Sequence, residues 1–455
     1  MLNSKIEIVG KDRLKHIADR AAHWRRPGQS GRYVPTSPPD VVIADMLAQR
    51  PIPLDEIKAV VEAPFFSPSG RLVSTNGYDR ETKRYLQLPE SLTNLVINPH
   101  PSDEDVRGAV ALIEDWLCDF PFASEADFAN ALAKVLDPFT RTIYDGLTPA
   151  YIFSAPSAGT GKGLLVDVLT IPSTGEGVAT ESFVPGEAEL KKLLLAKIIE
   201  GTAHIHFDNF EGILKSGTLS SFLTSHTYSG RLLSYNKTVA GPQRVNVSFS
   251  GNNVVFGGDI GRRVVLIRLD ARVAHPESRS VWTHPEILQW TKDNRRAIVE
   301  AILTLVQSWV AAGMRPGSVT KGSYEPWAQR ASGILEHVGI SGFLANHDEI
   351  ADADTEGAGW EQFVSLWWNE FQGRDVTPSQ LVRLVDELDQ PPFYIPDAAT
   401  PRSLSISLGK HLLKLKDRVF DTCVVRRAGK SASTGSTYWR LERLAVTAVK
   451  DTDVV

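Results

Sequence analysis

The sequence predicts an α/β fold built on a parallel sheet, with an α+β region before it, a helical segment behind it and a small helix-and-wing module at the end. Three observations carry that prediction. The run Tyr151-Ile-Phe-Ser-Ala-Pro-Ser-Ala-Gly-Thr-Gly-Lys162-Gly-Leu-Leu passes from an apolar strand through a small-residue loop into a helix. From about 148 to 275, strand and helix patterns alternate, as a parallel sheet requires. Beyond about 375, two helical runs precede two strands.

The bulk properties bound the rest. At 455 residues the chain has room for two or three domains. Hydrophobic residues make up 42% and charged residues 23%, the balance of a globular protein. A net charge of -5 argues against a coat-like nucleic-acid binder, so any contact with DNA must come from local basic patches. Cys118 and Cys423 are far apart in sequence and lack metal-ligand neighbours along it, so a reducing, cytoplasmic setting is expected and a zinc site is not. No apolar run approaches the ~18 residues of a membrane span, and the N-terminus lacks the apolar core of a signal peptide. No membrane partner is expected.

Taken in order, residues 1–100 read as an amphipathic helix (11–24), a Pro/Gly/Ser-rich extended linker from Pro27 to Pro39, a helix at 41–49, and strand-and-turn units around Ser69-Gly70 and Asn76-Gly77-Tyr78-Asp79. Residues 101–282 open with two helical patterns between 103 and 136, interrupted at Asp119-Phe-Pro-Phe122, and continue into the alternating region. Residues 283–372 carry one long helical pattern at 283–312 and shorter ones at 326–338 and 358–371. Their tryptophans, Trp309, Trp327, Trp360, Trp367 and Trp368, are expected in the core. Residues 373–455 carry helical runs at 377–389 and 403–416, then strands at 419–426 and 436–441, the order of a winged helix.

The chemistry starts at the Gly-rich loop. Backbone N–H groups of such a loop converge on an anion, the helix N-terminus adds positive charge, and Lys162 reaches the outer phosphates. Ser157, Ala158, Gly159, Thr160, Gly161, Lys162 and Gly163 are the candidate phosphate-binding residues. Two positions depart from the Walker A pattern. Pro156 stands in place of a glycine, and Gly163 in place of the hydroxyl residue that holds Mg²⁺. The stretch Ala203-His-Ile-His-Phe-Asp208-Asn209 supplies a strand ending in a carboxylate, and Asp208 is the candidate for Mg²⁺, held through water. Asn209 follows where a glutamate often polarises water; it can orient water but cannot accept its proton. Glu211 is a nearby substitute, and an Asp-Asn pair that simply forms a turn is the bland alternative.

Between Glu211 and Asp259 the chain has no acidic residue, while it carries Lys215, Arg231, Lys237 and Arg244 with Tyr228 and Tyr235. Residues 230–245 read as a hairpin with a polar, basic tip, suited to tracking a phosphate backbone; an ordinary solvated hairpin is the alternative. The strand at 245–253 ends in Asn252 and Asn253, one of which can donate to a γ-phosphate. Arg262 and Arg263 then stand ahead of the strand 264–269, placed to act on a neighbouring copy's nucleotide or simply to pair with Asp259 or Asp270.

The ordered set resembles the oligomeric helicase-type ATPases of phages and mobile elements, related to superfamily 3 helicases and the broader AAA+ class. Gly159-Thr-Gly-Lys162-Gly-Leu-Leu, Phe207-Asp208-Asn209, and Gly251-Asn-Asn253 through Gly258-Asp259 to Arg262-Arg263 carry the resemblance, with softer similarity at Asn76–Asp79, at Asp119–Phe122 with Glu125-Ala-Asp127, and at Pro276–Arg279. It covers residues 60–280 well and the remainder loosely. The resemblance implies an AAA+-like P-loop core using ATP and Mg²⁺, with Lys162 on the β/γ-phosphates, Asp208 on the metal, and Asn252 or Asn253 as sensor. It further implies that Arg262 or Arg263 acts from the adjacent subunit of a homo-oligomeric ring, whether or not of six, and that Arg231 and Lys237 face single-stranded or forked DNA in its channel. Larger members carry a primase-like N-terminal part; with this chain starting close to the helicase portion, polymerising activity is not expected.

From Arg402 to Arg443 there are ten basic residues and three acidic ones. Lys410, Lys414 and Lys416 on the second helix, and Arg426, Arg427 and Lys430 on the wing, would contact DNA, against the alternative of a protein-interaction module. Three functions compete: an ATP-driven DNA helicase or translocase, a nucleotide-gated DNA-binding initiator or loader with weak hydrolysis, and a P-loop kinase. The arginine pair and the basic C-terminal module weigh against the last.

Overall fold

The computed structural model describes residues 9–28, 31–49, 55–144, 146–156, 159–184, 186–210, 212–231, 238–252, 254–257, 259–272, 279–347, 355–388, 400–417, 419–420, 422–430 and 437–443, with only the backbone of 355–358, 414, 419 and 430. At its centre lies a five-stranded sheet: β1 (Ala150–Ala155), β2 (Thr180–Glu181), β3 (His204–Phe210), β4 (Asn246–Asn252) and β5 (Val264–Arg268). All pairings are parallel and the spatial order is β5-β1-β4-β3-β2. Parallel strands bury both faces, which explains why β1 is fully buried along its length. One face packs Tyr151, Phe153, Val265 and Ile267 against helices Glu125–Thr140, Lys162–Thr174 and Arg295–Ala311. The other packs Ile152, Phe207, Val247, Phe249 and Leu266 against helix Glu187–Ile199.

This order has one consequence for function. Because β4 inserts between β1 and β3, the carboxyl end of the asparagine strand lies between the phosphate loop and the acidic strand end. In open α/β sheets, ligands sit at the carboxyl ends of the strands.

Buried polar groups fasten the surrounding helices. Helix Asp103–Leu117 starts at a capping box made by Ser102 and Asp105. Asp119 accepts from the amides of Thr283 (3.1 Å) and His284 (2.7 Å), and Asp127 accepts from the Arg268 amide at 2.7 Å, tying the helical segment and β5 to the 119–127 turn. Asp137, almost fully buried, pairs with Arg330 at 2.5 Å and also accepts from Tyr151 (2.6 Å) and Trp327 (2.9 Å).

Several expectations needed correction. The 27–39 segment is not simply an extended linker, since Arg25–Pro27 and Tyr33–Pro35 pair antiparallel. The helix expected over 283–312 is two, Ile287–Asp293 and Arg295–Ala311, broken where Asn294 leaves helical geometry and its side chain bonds back to the Trp290 carbonyl. The first helix stops at Ala21, beyond which Trp24 donates back to the Ala18 carbonyl at 2.8 Å.

Trp309, Trp327, Trp360 and Trp367 are buried, and Trp368 packs partly buried beside them. Helix Thr355–Phe371 shares its apolar core with helices Pro378–Val385 and Pro401–Lys414 and with strands Cys423–Lys430 and Thr437–Arg443. Those two strands and Val419–Phe420 form an antiparallel sheet, to which Val376 adds a bridge at Trp439.

Candidate functional site

The Gly-rich loop ends where Gly161, at φ 86°, caps helix Lys162–Thr174; Gly159 is also left-handed, at φ 76°. Glycine is the residue that takes such angles without strain, which leaves the loop amides free to turn toward one point. Ser157 and Ala158 lie outside the described residues. Lys162 donates from Nζ to Asn252 Oδ1 at 2.7 Å and lies 3.4 Å from the buried Thr160 hydroxyl. Partial burial pulls the Lys162 pKa below its ordinary value, while the charge of Asp208 opposes that shift.

Asp208 stands across the same end of the sheet. A Cβ built on Gly163 would lie 3.9 Å from Asp208 Oδ1, so the first turn of the loop helix directly faces the carboxylate. Asp208 is held by the Ser250 hydroxyl of β4, which also accepts from the Asn209 amide at 3.2 Å. Asn209 itself takes φ 49° at a bulge between Phe207 and Phe210. Asparagine tolerates the left-handed backbone that this bulge requires, and the residue stays within the strand. The bulge leaves the Asp208 side chain half exposed at the strand end. Asn253 and Glu211 lie outside the described residues.

Three residues of this site were not singled out from the sequence. Ser250 positions Asp208. Asp167, on the loop helix, has its pKa raised by burial, with the Asp208 charge adding to the rise and the Val178 amide at 2.9 Å opposing it. His206 bonds to Ser248 at 3.0 Å, and its other nitrogen lies 3.8 Å from Asp208; burial lowers its pKa to about 4, so it is neutral at pH 7. A signal existed. Asn246, Ser248, Ser250 and Asn252 alternate along a strand buried on both faces, and His204, His206 and Asp208 alternate beside them.

The remaining candidates scatter. Arg262 and Arg263 both pair with Asp259, Arg262 through Nε at 2.6 Å. Arg262 stays 79% exposed and Arg263 only 17%. The basic hairpin exists as Thr227–Arg231 against Thr238–Pro242, with Arg231 exposed at the end of its strand; Lys237 and Tyr235 fall outside the described residues. Tyr228 is buried edge-on against Phe222, so it belongs to the core and not to a stacking surface. Arg244 stands at the opposite end of the hairpin from its tip, beside the amino end of β4. In the C-terminal module Lys410 and Arg427 are exposed, the Lys414 side chain is outside the described atoms, and Arg426 is engaged by Asp417 (2.6 Å) and Glu442 (3.1 Å). Cys118 has neighbours after all: its sulfur and ligand atoms of Asp115 and His284 lie within 4.8 Å of one another, although His284 already bonds Asp115 at 3.1 Å. Among the described residues no helix is long and apolar enough to cross a membrane.

No family model matches the chain, and no curated protein does. Among solved structures it is similar to the apo A form of the NrS-1 C-terminal region, at 11% identity over 90% of this chain and 92% of that one, with a TM-score of 0.42. It is also similar to the active helicase SCCmec type IV Cch, at 12% identity over 89% and 82%, TM-score 0.35. The JCV helicase matches at 12% identity over 55% of this chain and 73% of that one, TM-score 0.25. Helicases are thus among the structures this chain is similar to. The case for its chemistry rests on the residues themselves.

Proposed function

We propose that the chain is an ATP- and Mg²⁺-dependent DNA motor, a helicase or translocase that works as a homo-oligomeric ring in the replication of a phage or mobile element. One observation carries the reading: Lys162, Asp208 and Asn252, from three separate segments, converge at the carboxyl end of one parallel sheet. A lysine partly stripped of water, with left-handed glycines beside it, suits a triphosphate, and the gap at Gly163 facing Asp208 suits a hydrated divalent cation. Lys162 and the loop amides would hold the phosphates, Asp208 the metal, and Asn252 the terminal phosphate. The metal would supply charge neutralisation for phosphoryl transfer.

Arg262 is the better candidate than Arg263 to reach a neighbouring subunit, because its side chain stands in solvent despite the pairing with Asp259. The exposed hairpin strand bearing Arg231 and the C-terminal winged-helix-like module bearing Lys410 and Arg427 supply cationic surface for DNA. ATPase rate measured with no DNA, with single-stranded DNA and with forked DNA tests the proposal. Stimulation by DNA is expected, together with a ~10²–10³-fold loss on Lys162→Ala. DNA-independent turnover that survives Lys162→Ala would remove the motor.

A second reading, a nucleotide-gated initiator or loader, is favoured by Gly163 and Asn209, which leave the metal with fewer ligands and the lytic water without a base at that position. DNA affinity that responds to ATP without strand separation would select it.

A further inference from the structure

We propose that the cavity of about 520 Å³ at the amino ends of β3 and β4, on the far side of the sheet from Lys162, binds a small phosphate-bearing anion. Three parts of the chain wall it: residues 58–61 with Arg84 from the N-terminal region, Asp137 with Arg141 at the end of helix Glu125–Thr140, and the segments 198–204 and 242–246 that lead into β3 and β4. Lys58, Arg84, Arg141 and Arg244 bring four cations to its lining. Of the two carboxylates there, Asp137 is engaged by Arg330 at 2.5 Å, and Glu200 is 61% exposed with Lys197 at 3.9 Å.

Arg84 is the group that points to a ligand. It is 6% exposed, lies 5.4 Å over the Phe65 ring, and its Nε has no hydrogen-bond partner among the described residues. Among those residues no carboxylate pairs with it. The charged groups it feels most are Arg244 and Arg141, and their repulsion adds to burial in lowering its pKa to about 10. His204 contributes a second buried ring nitrogen without a partner at the same cavity, and burial keeps that ring neutral. A buried guanidinium facing others of its kind is unfavourable until an anion completes the set. The planar fork of arginine matches phosphate oxygens, and the volume is that of a small-molecule site. The depth of Arg84 favours a ligand that enters whole over a polymer laid across the surface.

Calorimetric titration of pyrophosphate into the full chain carrying Lys162→Ala tests this apart from the phosphate loop, whose own claim on the probe that substitution weakens. One binding event is expected, weakened at least tenfold by adding Arg84→Gln, and likewise by Arg244→Glu at an exposed position, with an unfolding transition like the parent's showing that the variant is folded. Arg84→Met should melt no lower than its parent in phosphate-free buffer, since it removes an uncompensated buried charge, and should lose the pyrophosphate-dependent rise in Tm. No binding to the Lys162→Ala protein, or affinity unchanged by Arg84→Gln and Arg244→Glu, overturns the proposal. Arg84-dependent binding of a single-stranded oligonucleotide without a terminal phosphate, and none of pyrophosphate, overturns it in favour of a polymer.

Discussion

If Asp208 holds the metal as proposed, substituting Gly163 with serine should tighten that site. The glycine carries no positive φ, and a Cβ there would meet nothing nearer than Asp208 Oδ1 at 3.9 Å, an ordinary contact, so the side chain enters without strain. Two ligand oxygens on adjacent corners of an octahedral Mg²⁺, each about 2.1 Å from the ion, stand about 3 Å apart. A serine hydroxyl turned toward the carboxylate from a Cβ at 3.9 Å can reach that separation. Exchanging a bound water for a fixed hydroxyl should be worth about 1.5 kcal/mol, the lower end for hydrogen bonds to charged groups, or roughly tenfold in affinity. Serine in place of glycine in the first helical turn adds a few tenths of a kcal/mol at most to stability, so Tm should hardly move. The assay is the Mg²⁺ concentration that half-saturates binding of a fluorescent ATP analogue. It should fall about tenfold in Gly163→Ser, and the gain should vanish in the Gly163→Ser, Asp208→Asn double variant. An unchanged half-saturation in a folded Gly163→Ser protein, or a gain that survives loss of Asp208, would refute the shared metal position.

The other expectations follow from single environments. Arg262→Ala should leave Tm and nucleotide binding unchanged while lowering ATPase in the assembled state, whereas Arg263→Ala, with its half-buried pairing to Asp259, should lower Tm first. Asp137→Ala strands the buried Arg330 and should cost about 3–5 kcal/mol in denaturant unfolding. His206 is held neutral with a folded pKa near 4, below its unfolded value, so its contribution is full above pH 6.5 and lost as pH falls toward 4. Of the acid destabilisation, about 3 kcal/mol should disappear in His206→Gln. Burial lowers the Lys162 pKa in the free protein and a bound phosphate would raise it again, which makes ATP affinity pH-dependent. That affinity should fall with rising pH before the ordinary lysine range is reached, as titration calorimetry across pH would read.

What the sequence disclosed about this fold was local and periodic. The loop at Gly159–Lys162 and the apolar strand into Asp208 are each written in a few consecutive residues, and each stands where its pattern puts it. What it withheld depends on distant pairing. Ser250 holds Asp208 only because β4 enters the sheet beside β3, and nothing in its own neighbourhood announces that contact. The cationic cavity joins Arg84 to Arg244 across 160 positions, a relation no window of sequence can reveal. Asn294 shows the converse. The apolar spacing around it is continuous, yet its side chain competes for the Trp290 carbonyl and divides the helix. Tyr228 sits in a basic, polar stretch but is drawn inward by Phe222, where burial of a ring outweighs the charge of its neighbours.

The geometry at the sheet's carboxyl end also bears on how a nucleotide would be received. Lys162 is not waiting in solvent; it already donates to Asn252, and Asp208 already accepts from Ser250. Both bonds join elements that the parallel order places side by side, so the site is held in register before any ligand arrives. A phosphate oxygen that takes the Lys162 ammonium releases the Asn252 side chain, which can then turn its amide toward the same phosphate. The exchange replaces one neutral acceptor with a charged one, and charge-assisted bonds are roughly twice as strong. Occupancy would thereby be reported to β4, the strand that continues back into the hairpin bearing Arg231. Asn252→Ala separates the two roles of that contact. With the apo bond gone, nucleotide binding should be retained or improved, while the response of DNA affinity to ATP, read by fluorescence anisotropy with and without nucleotide, should be lost. A variant that keeps the full ATP response would show that the strand carries no such report.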